Sequence, residues 1–265
     1  MHTIPEVDVI IRYENSRKVT LHPMATLSPL DQQLLNLVSV PQPNTIDGVV
    51  QLMTSIDNLL PDNDGLKWFN KLYLKVTEAI DQQPAANWSD VAWLTRLDVV
   101  FAGFYFRAIA EFLDNSPATP SSWDALFESR NKPQVERIQF ALAGMNAHIN
   151  HDLALALIQT NSEMNLQPAL ESSEHVDYER VNTILATLLP DVLNDLAKGV
   201  LGGLAEDTGK VGRLLAIWSV AAARDAAWTF AGFLRNLPSA AQPEALTVQD
   251  KLTGLAGRGL LLPLQ

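Results

Sequence analysis

The stretch Ile138-Gln-Phe-Ala-Leu-Ala-Gly-Met-Asn-Ala-His-Ile-Asn-His-Asp-Leu153 decides the reading of this chain. It is apolar enough to lie inside a protein, yet Asn146, His148, Asn150, His151 and Asp152 crowd its second half. At about 100° per residue, and taking His148 as zero, Asp152 falls about 40° to one side and His151 about 60° to the other. Ala141 and Gly144 point the same way, so small residues flank the imidazoles. Gln139, Asn146 and Asn150 fall together on the opposite face. The segment therefore predicts a buried helix with a His/Asp front and an amide back.

Its neighbours are helical too. Thr45 can cap a helix carrying Val49, Leu52, Met53, Ile56, Leu59 and Leu60 at spacings of three and four. Pro61-Asp62-Asn63-Asp64-Gly65 ends it, and Leu66 to Ile80 follows with Phe69, Leu72, Tyr73 and Val76 on one side. Ser89 opens a helix to about Leu113. Ser121-Ser122 starts a short one, and Pro133 suits the first turn of the long one that contains the quoted stretch. Residues 161–174 form a polar loop. Further helices fit 176–198, 207–236 and 246–260, with Gly199, Gly202 and Gly203 marking a break. The helices at 89–113, 133–160 and 207–236 are too apolar for a surface, so they form the centre of the bundle.

The first forty residues differ. Val7–Tyr13 and Lys18–Leu21 lean toward strand around the turn residues Glu14-Asn15-Ser16, which predicts a short hairpin. Four prolines (Pro23, Pro29, Pro41 and Pro43) then punctuate a wrapping segment, with a short helix at Leu30 to Val38. The organisation is an N-terminal arm over 1–43 and a single all-α helical-bundle domain over 44–265.

Composition narrows the function. A net charge of −11 argues against nucleic acid, whose phosphates need Lys and Arg. With no cysteine, disulfides and thiolate chemistry are excluded. No targeting segment or membrane-spanning run stands out, so the expected location is cytoplasmic. There is no Gly-rich phosphate loop after a strand, no Gly-x-Ser-x-Gly elbow and no Glu-x-x-His pair of the di-iron type.

Candidate chemistry gathers on the polar groups of apolar helices. His148 and Asp152, at i and i+4, can reach one ion or one substrate from a single face. His175, with Glu179 and Asn182 at i+4 and i+7, offers a second His-x-x-x-carboxylate arm. Two such arms could close a nitrogen and oxygen site suited to zinc, manganese or iron. A buried His–Asp pair without an ion fits the same spacing. Asp98 and Tyr105 share a face of the 89–113 helix. Arg224 lies beside a stripe of Trp218, Ala221, Asp225 and Trp228, and a buried arginine calls for Asp98 or Asp152 as its partner.

The quoted stretch resembles the signature of a bacterial domain of unknown function, 5995. Four other segments agree with it in order: Asp64-Gly65 with Trp68-Phe69-Asn70 and Tyr73-Leu74; Leu97 to Ala102 with Tyr105-Phe106; Asp177-Tyr178 with Val181-Asn182; and Trp218-Ser219 with Ala223 to Trp228. The resemblance spans about residues 45–260 and implies an all-helical, enzyme-sized domain with no activity to carry over. Its pattern runs through Asp177 and Asn182, not Glu179, which makes Asp177 the carboxylate of the second arm. The arm at 1–43 reads as an addition to the pattern, suited to a partner or a specialised pathway role.

The expectation is a small-molecule enzyme with a polar cavity lined by Asp98, His148, His151, Asp152, His175 and Asp177. Arg224 joins the catalytic candidates. Tyr105, Asn146, Asn150, Trp218 and Trp228 are the substrate-binding candidates, for a largely apolar substrate. A metal-assisted hydrolase with His148, Asp152, His175 and Asp177 as ligands is the leading reading, with His151 as general base. A metal-free cyclase or isomerase of a biosynthetic pathway is the second. A binding or scaffold protein with a structural polar centre is the third.

Overall fold

The computed structural model describes residues 27–198 and 219–263, and among them all regular structure is helical. The hairpin expected within residues 7–21, the glycine break at 199–203, Trp218 and the start of the 207–236 helix lie outside the described residues. The elements are α1 (Pro29–Val38), α2 (Ile46–Leu59), α3 (Gly65–Asp81), α4 (Val91–Leu113), α5 (Ser121–Phe127), α6 (Arg137–Ala147), a π-turn (His148–Asp152), α7 (Leu153–Glu163), α8 (Ser173–Lys198), α9 (Val220–Asn236) and α10 (Gln242–Leu260).

The starts follow local chemistry. Thr45, Asp64, Asp90 and Ser219 each accept a backbone N–H with the side chain at the head of α2, α3, α4 and α9. Asp90, not Ser89, caps α4. The long central helix begins at Arg137 rather than at Pro133, because Glu136 and Gln139 form a capping box there.

The continuous rod α6–π–α7 is the axis of the fold, and from Ile138 to Leu157 only Asn150 is not fully buried. Around it pack α3, α4, α5, α9 and α10. Leu34 and Val38 of α1 join the same core, against α2 and α4. The described part of the 207–236 helix departs from expectation. α9 buries Ala223, Arg224, Ala227, Ala231 and Leu234 and leaves the other face in solvent, with Phe233 half exposed. Its apolar character comes largely from alanine, which tolerates either environment.

Two glycines set helix spacing. A Cβ on Gly144 would enter the Phe69 ring, so its absence lets α3 seat that ring on α6. A Cβ on Gly254 would strike the Ser121 carbonyl, so α10 lies directly on the head of α5.

Candidate active site

The helical ladder widens for one turn where the polar residues begin. The N–H of Leu153 donates to the carbonyl of His148, five residues back. Such π-turns recur at functional sites, and they change the arithmetic of faces. Each residue of the turn advances by a smaller angle. Asp152 stays beside His148, but three steps no longer return His151 to that side.

Asp152 and His148 form a buried pair, with His148 Nδ1 2.8 Å from Asp152 Oδ2. Trp123 of α5 donates its indole N–H to the same oxygen at 2.9 Å. With Asp152 ionised, Nδ1 must carry the proton, and the lone pair falls on Nε2. Nε2 meets no partner among the described residues. Phe101 stacks on the imidazole, and Tyr73 and Phe69 close its edges. Burial drives His148 well below the ordinary histidine range and lifts the Asp152 carboxyl to about 7, against the opposing pull of His151 and the Trp123 hydrogen bond.

His148 opens onto an apolar cavity of ≈ 80 Å³ among α3, α4, α6, α8 and α9. Phe69, Leu72, Val76, Phe101, Leu185 and Leu189 supply much of its wall. Asp98, Tyr73 and Arg224 are its other polar side chains. Asp98 is partly buried and its Oδ2 fully so, without a hydrogen-bond partner among the described residues. Burial, with a smaller push from Asp81, raises this carboxyl to about 7. The Tyr73 hydroxyl, beside that of Thr77, is held protonated by burial and by the nearby carboxyl groups of Asp98 and Asp152. Folded proteins rarely leave buried polar atoms unpaired, and here two, His148 Nε2 and Asp98 Oδ2, belong to residues that line one cavity.

Other expected site residues take other partners than expected. Arg224 pairs with neither Asp98 nor Asp152; its Nε donates to Asn182 Oδ1 and its Nη2 to the Tyr178 carbonyl. The Tyr178 ring carries the guanidinium on its face, and its hydroxyl donates to the Arg224 carbonyl. Those partners lie one turn apart on α8, which faces α9, and no periodicity argument could rank them above a carboxylate.

His151 turns to α10, where Nδ1 lies 3.1 Å from Gln249 Oε1 and 3.7 Å from Asp250 Oδ1. It is not the general base of the cavity. Asp177 is fully buried and accepts the backbone N–H groups of Ser89 and Asp90, so it closes the approach to α4 and does not face His148. His175 packs edge-on against Trp228, 3.7 Å from Glu179. The four expected metal ligands thus do not come together: His148 and Asp152 pair at the cavity, while His175 and Asp177 take other partners elsewhere. Among the described residues no group of three or more His, Cys, Asp or Glu side chains could hold a metal ion.

The substrate-binding candidates also disperse. Tyr105 is buried behind the Phe69 ring and donates its hydroxyl to Asn70. Trp228 packs with His175 and Tyr178, outside the cavity. The amide back behaves as the helical wheel indicates. Gln139 donates to the carbonyls of Leu260 and Leu262, Asn146 to that of Thr253, and Asn150 to Asn146. Gln139 and Asn146 tie α6 to α10, and Asn146 and Asn150 border an open groove between α9 and α10. They do not line the His148 cavity.

Trp123 is the site residue that sequence reasoning missed. It lies in the short helix that starts at Ser121-Ser122, and nothing local marks its N–H as the partner of Asp152. Phe101 and Tyr73 were legible as core residues, not as the walls of an imidazole.

The model for the "Family of unknown function (DUF5995)" matches residues 46–263, which include every element from α2 onward. The chain belongs to this family. No curated protein and no solved structure matches it. Within this DUF5995 chain, the segments that carried the resemblance fall in two classes. Phe69, Tyr73, Asp98, Phe101, His148 and Arg224 line the cavity. Asp64 and Asp177 are buried helix-start carboxylates, Asp64 also binding the Arg130 guanidinium.

Proposed function

We propose that the protein is an enzyme that moves a proton on a small, largely apolar molecule held in the His148 cavity. The observation that carries this is His148 Nε2, without a partner among the described residues, oriented by the Asp152–Trp123 arrangement and facing an apolar chamber. A neutral imidazole oriented by a carboxylate is an effective general base. Nε2 takes a proton from one position of the substrate and returns it to another. The atoms balance, the dyad ends as it began, and the outcome is an isomerisation. Tyr73, and Asp98 in its protonated form, donate hydrogen bonds to the oxygen on which charge develops.

This reading takes the place of a metal-assisted hydrolase, because the expected ligands point to different parts of the bundle. A purely structural polar centre would have its groups paired, and two unpartnered atoms at one cavity, His148 Nε2 and Asp98 Oδ2, favour chemistry over scaffolding.

Proton exchange at carbon reports the chemistry on any molecule that fits the cavity. The protein is incubated in deuterium oxide with short aliphatic ketones and unsaturated acids, and deuterium uptake at carbon is followed by NMR. Uptake catalysed by the wild-type protein and lost in His148→Gln is the expected result. Absence of catalysed uptake across the panel, or uptake unchanged in His148→Gln, overturns the proposal.

A further inference from the structure

Arg224 is a cation with little reason to be where it is. It is 6% exposed, and it forms no ion pair with any carboxylate among the described residues. Charged groups this deep ordinarily have a counter-ion, because desolvation of an unpaired charge is expensive. The nearest acidic groups, Glu179 and Asp225, act on it only through space. Glu179 reaches it through Asn182, whose amide donates to Glu179 Oε2 while its oxygen accepts from Arg224 Nε. Glu179 itself is 42% exposed, so its charge is well screened.

The guanidinium is nonetheless held rigidly. Asn182 fixes Nε, the Tyr178 carbonyl fixes Nη2, and the Tyr178 ring lies 4.1 Å beneath the central carbon. No acceptor among the described residues meets Nη1. A planar donor, immobilised on one side and unengaged on the other, at the wall of an apolar cavity, is the form of an anion anchor. The same chamber carries His148 Nε2 and Asp98 as its other polar features, and every remaining wall residue apart from Tyr73 is apolar.

We infer that the cavity binds a short-chain aliphatic monocarboxylate, with the carboxylate on Arg224 Nη1 and the hydrocarbon directed along the apolar wall toward His148 Nε2. The inference rests on the proton-transfer reading for what happens at His148, and adds the substrate class. Size bounds the chain. At roughly 10–15 Å³ for each water-sized occupant, the ≈ 80 Å³ cavity takes about five to eight non-hydrogen atoms, an acid of about three to six carbons. Longer or dianionic acids fit neither the volume nor the single unengaged donor.

The experiment compares binding of butanoate, pentanoate and hexanoate with their primary amides, which match them in shape and lack the charge, by calorimetry on the full chain at pH 7. Acids should bind at least about tenfold more tightly than amides, the value of one charge-assisted hydrogen bond. Arg224→Gln should reduce that preference to about twofold or less, and Arg224→Lys should restore part of it. Equal binding of acids and amides by the wild-type protein, or binding of neither, overturns the inference. The wild-type comparison decides the matter even where Arg224→Gln fails to fold. Deuterium uptake is read separately. Its loss in His148→Gln, alongside equal acid and amide binding, sinks the carboxylate anchor and leaves proton transfer standing. Acid-selective binding with no catalysed uptake on any compound sinks proton transfer and leaves the anchor.

Discussion

Phe101 lies flat on His148, the ring centroids 3.5 Å apart and the planes within 7° of each other. The stack covers one face of the imidazole and leaves rotation of that ring sterically blocked, while Asp152 fixes Nδ1. The direction of Nε2 is therefore set by two contacts from different helices. Phe101→Leu should lower the catalysed exchange rate more than it weakens ligand binding, because it loosens the base without touching Arg224. Its cost in stability should be about 1 kcal/mol, typical of a lost aromatic contact. Urea melts and ligand titrations check both parts, and a variant with unchanged exchange would show that ring orientation does not matter.

Asp98 gives a pH signature whose sign can be worked out. Its carboxyl is raised to about 7 in the folded chain, above the ordinary value of 3.8. The unfolded chain therefore releases this proton first. The contribution of Asp98 to stability is full below the unfolded value and is lost as pH rises through about 7. Asp98→Asn removes that loss. The variant should match the wild type near pH 4 and exceed it at pH 8 by on the order of 2 kcal/mol. Thermal melts across this range test it, and a pH-independent difference would contradict the assignment. Catalysed exchange should also fall as pH climbs past about 7, where Asp98 loses its donor proton.

Gly144 should not tolerate a methyl group. Gly144→Ala places Cβ inside the Phe69 ring and close to that residue's own Cβ, so a simple rotation does not relieve the clash. A loss of about 2 kcal/mol is expected. Gly232 is the control, since it sits within α9 with nothing inside 4 Å of its added Cβ. Gly232→Ala should stabilise by about 0.5–1 kcal/mol through helix propensity alone. Chemical denaturation of the two variants side by side separates packing from propensity.

Asp250 accepts from the N–H groups of Ser121 and Ser122 at 3.0 Å each, at the head of the helix that supplies Trp123 to Asp152. Asp250→Ala should cost about 1–2 kcal/mol, as for a lost helix cap. It should also broaden the indole N–H resonance of Trp123 by releasing α5. An unchanged indole signal would mean that Trp123 is held by its ring packing alone.

Asp177→Asn tests a structural assignment. The residue accepts backbone N–H groups before α4 and has no histidine partner among the described residues. Stability should fall by about 1–2 kcal/mol while His148-dependent exchange in the surviving folded protein stays at the wild-type rate. A selective loss of exchange at full stability would return Asp177 to the site.

The helical class, most helix starts, the buried axis at 138–157 and the amide back of its central helix were legible in the order of residues alone. Those features are local. Caps such as Thr45, the i, i+4 link between His148 and Asp152 and the amide stripe are set by a few neighbouring residues and the pitch of the helix. Whatever depends on which helix faces which came from packing. It placed Trp123 on Asp152, Phe101 on His148, Asn182 and Tyr178 on Arg224, and the Ser89–Asp90 backbone on Asp177. In each case the chain offered a buried polar group that needed a partner, and the partner was a backbone group, an amide side chain or an aromatic ring as readily as a charge. The π-turn made the remaining difference. One widened turn swings His151 out of the cavity and toward α10, a rotation that a uniform helical wheel does not contain.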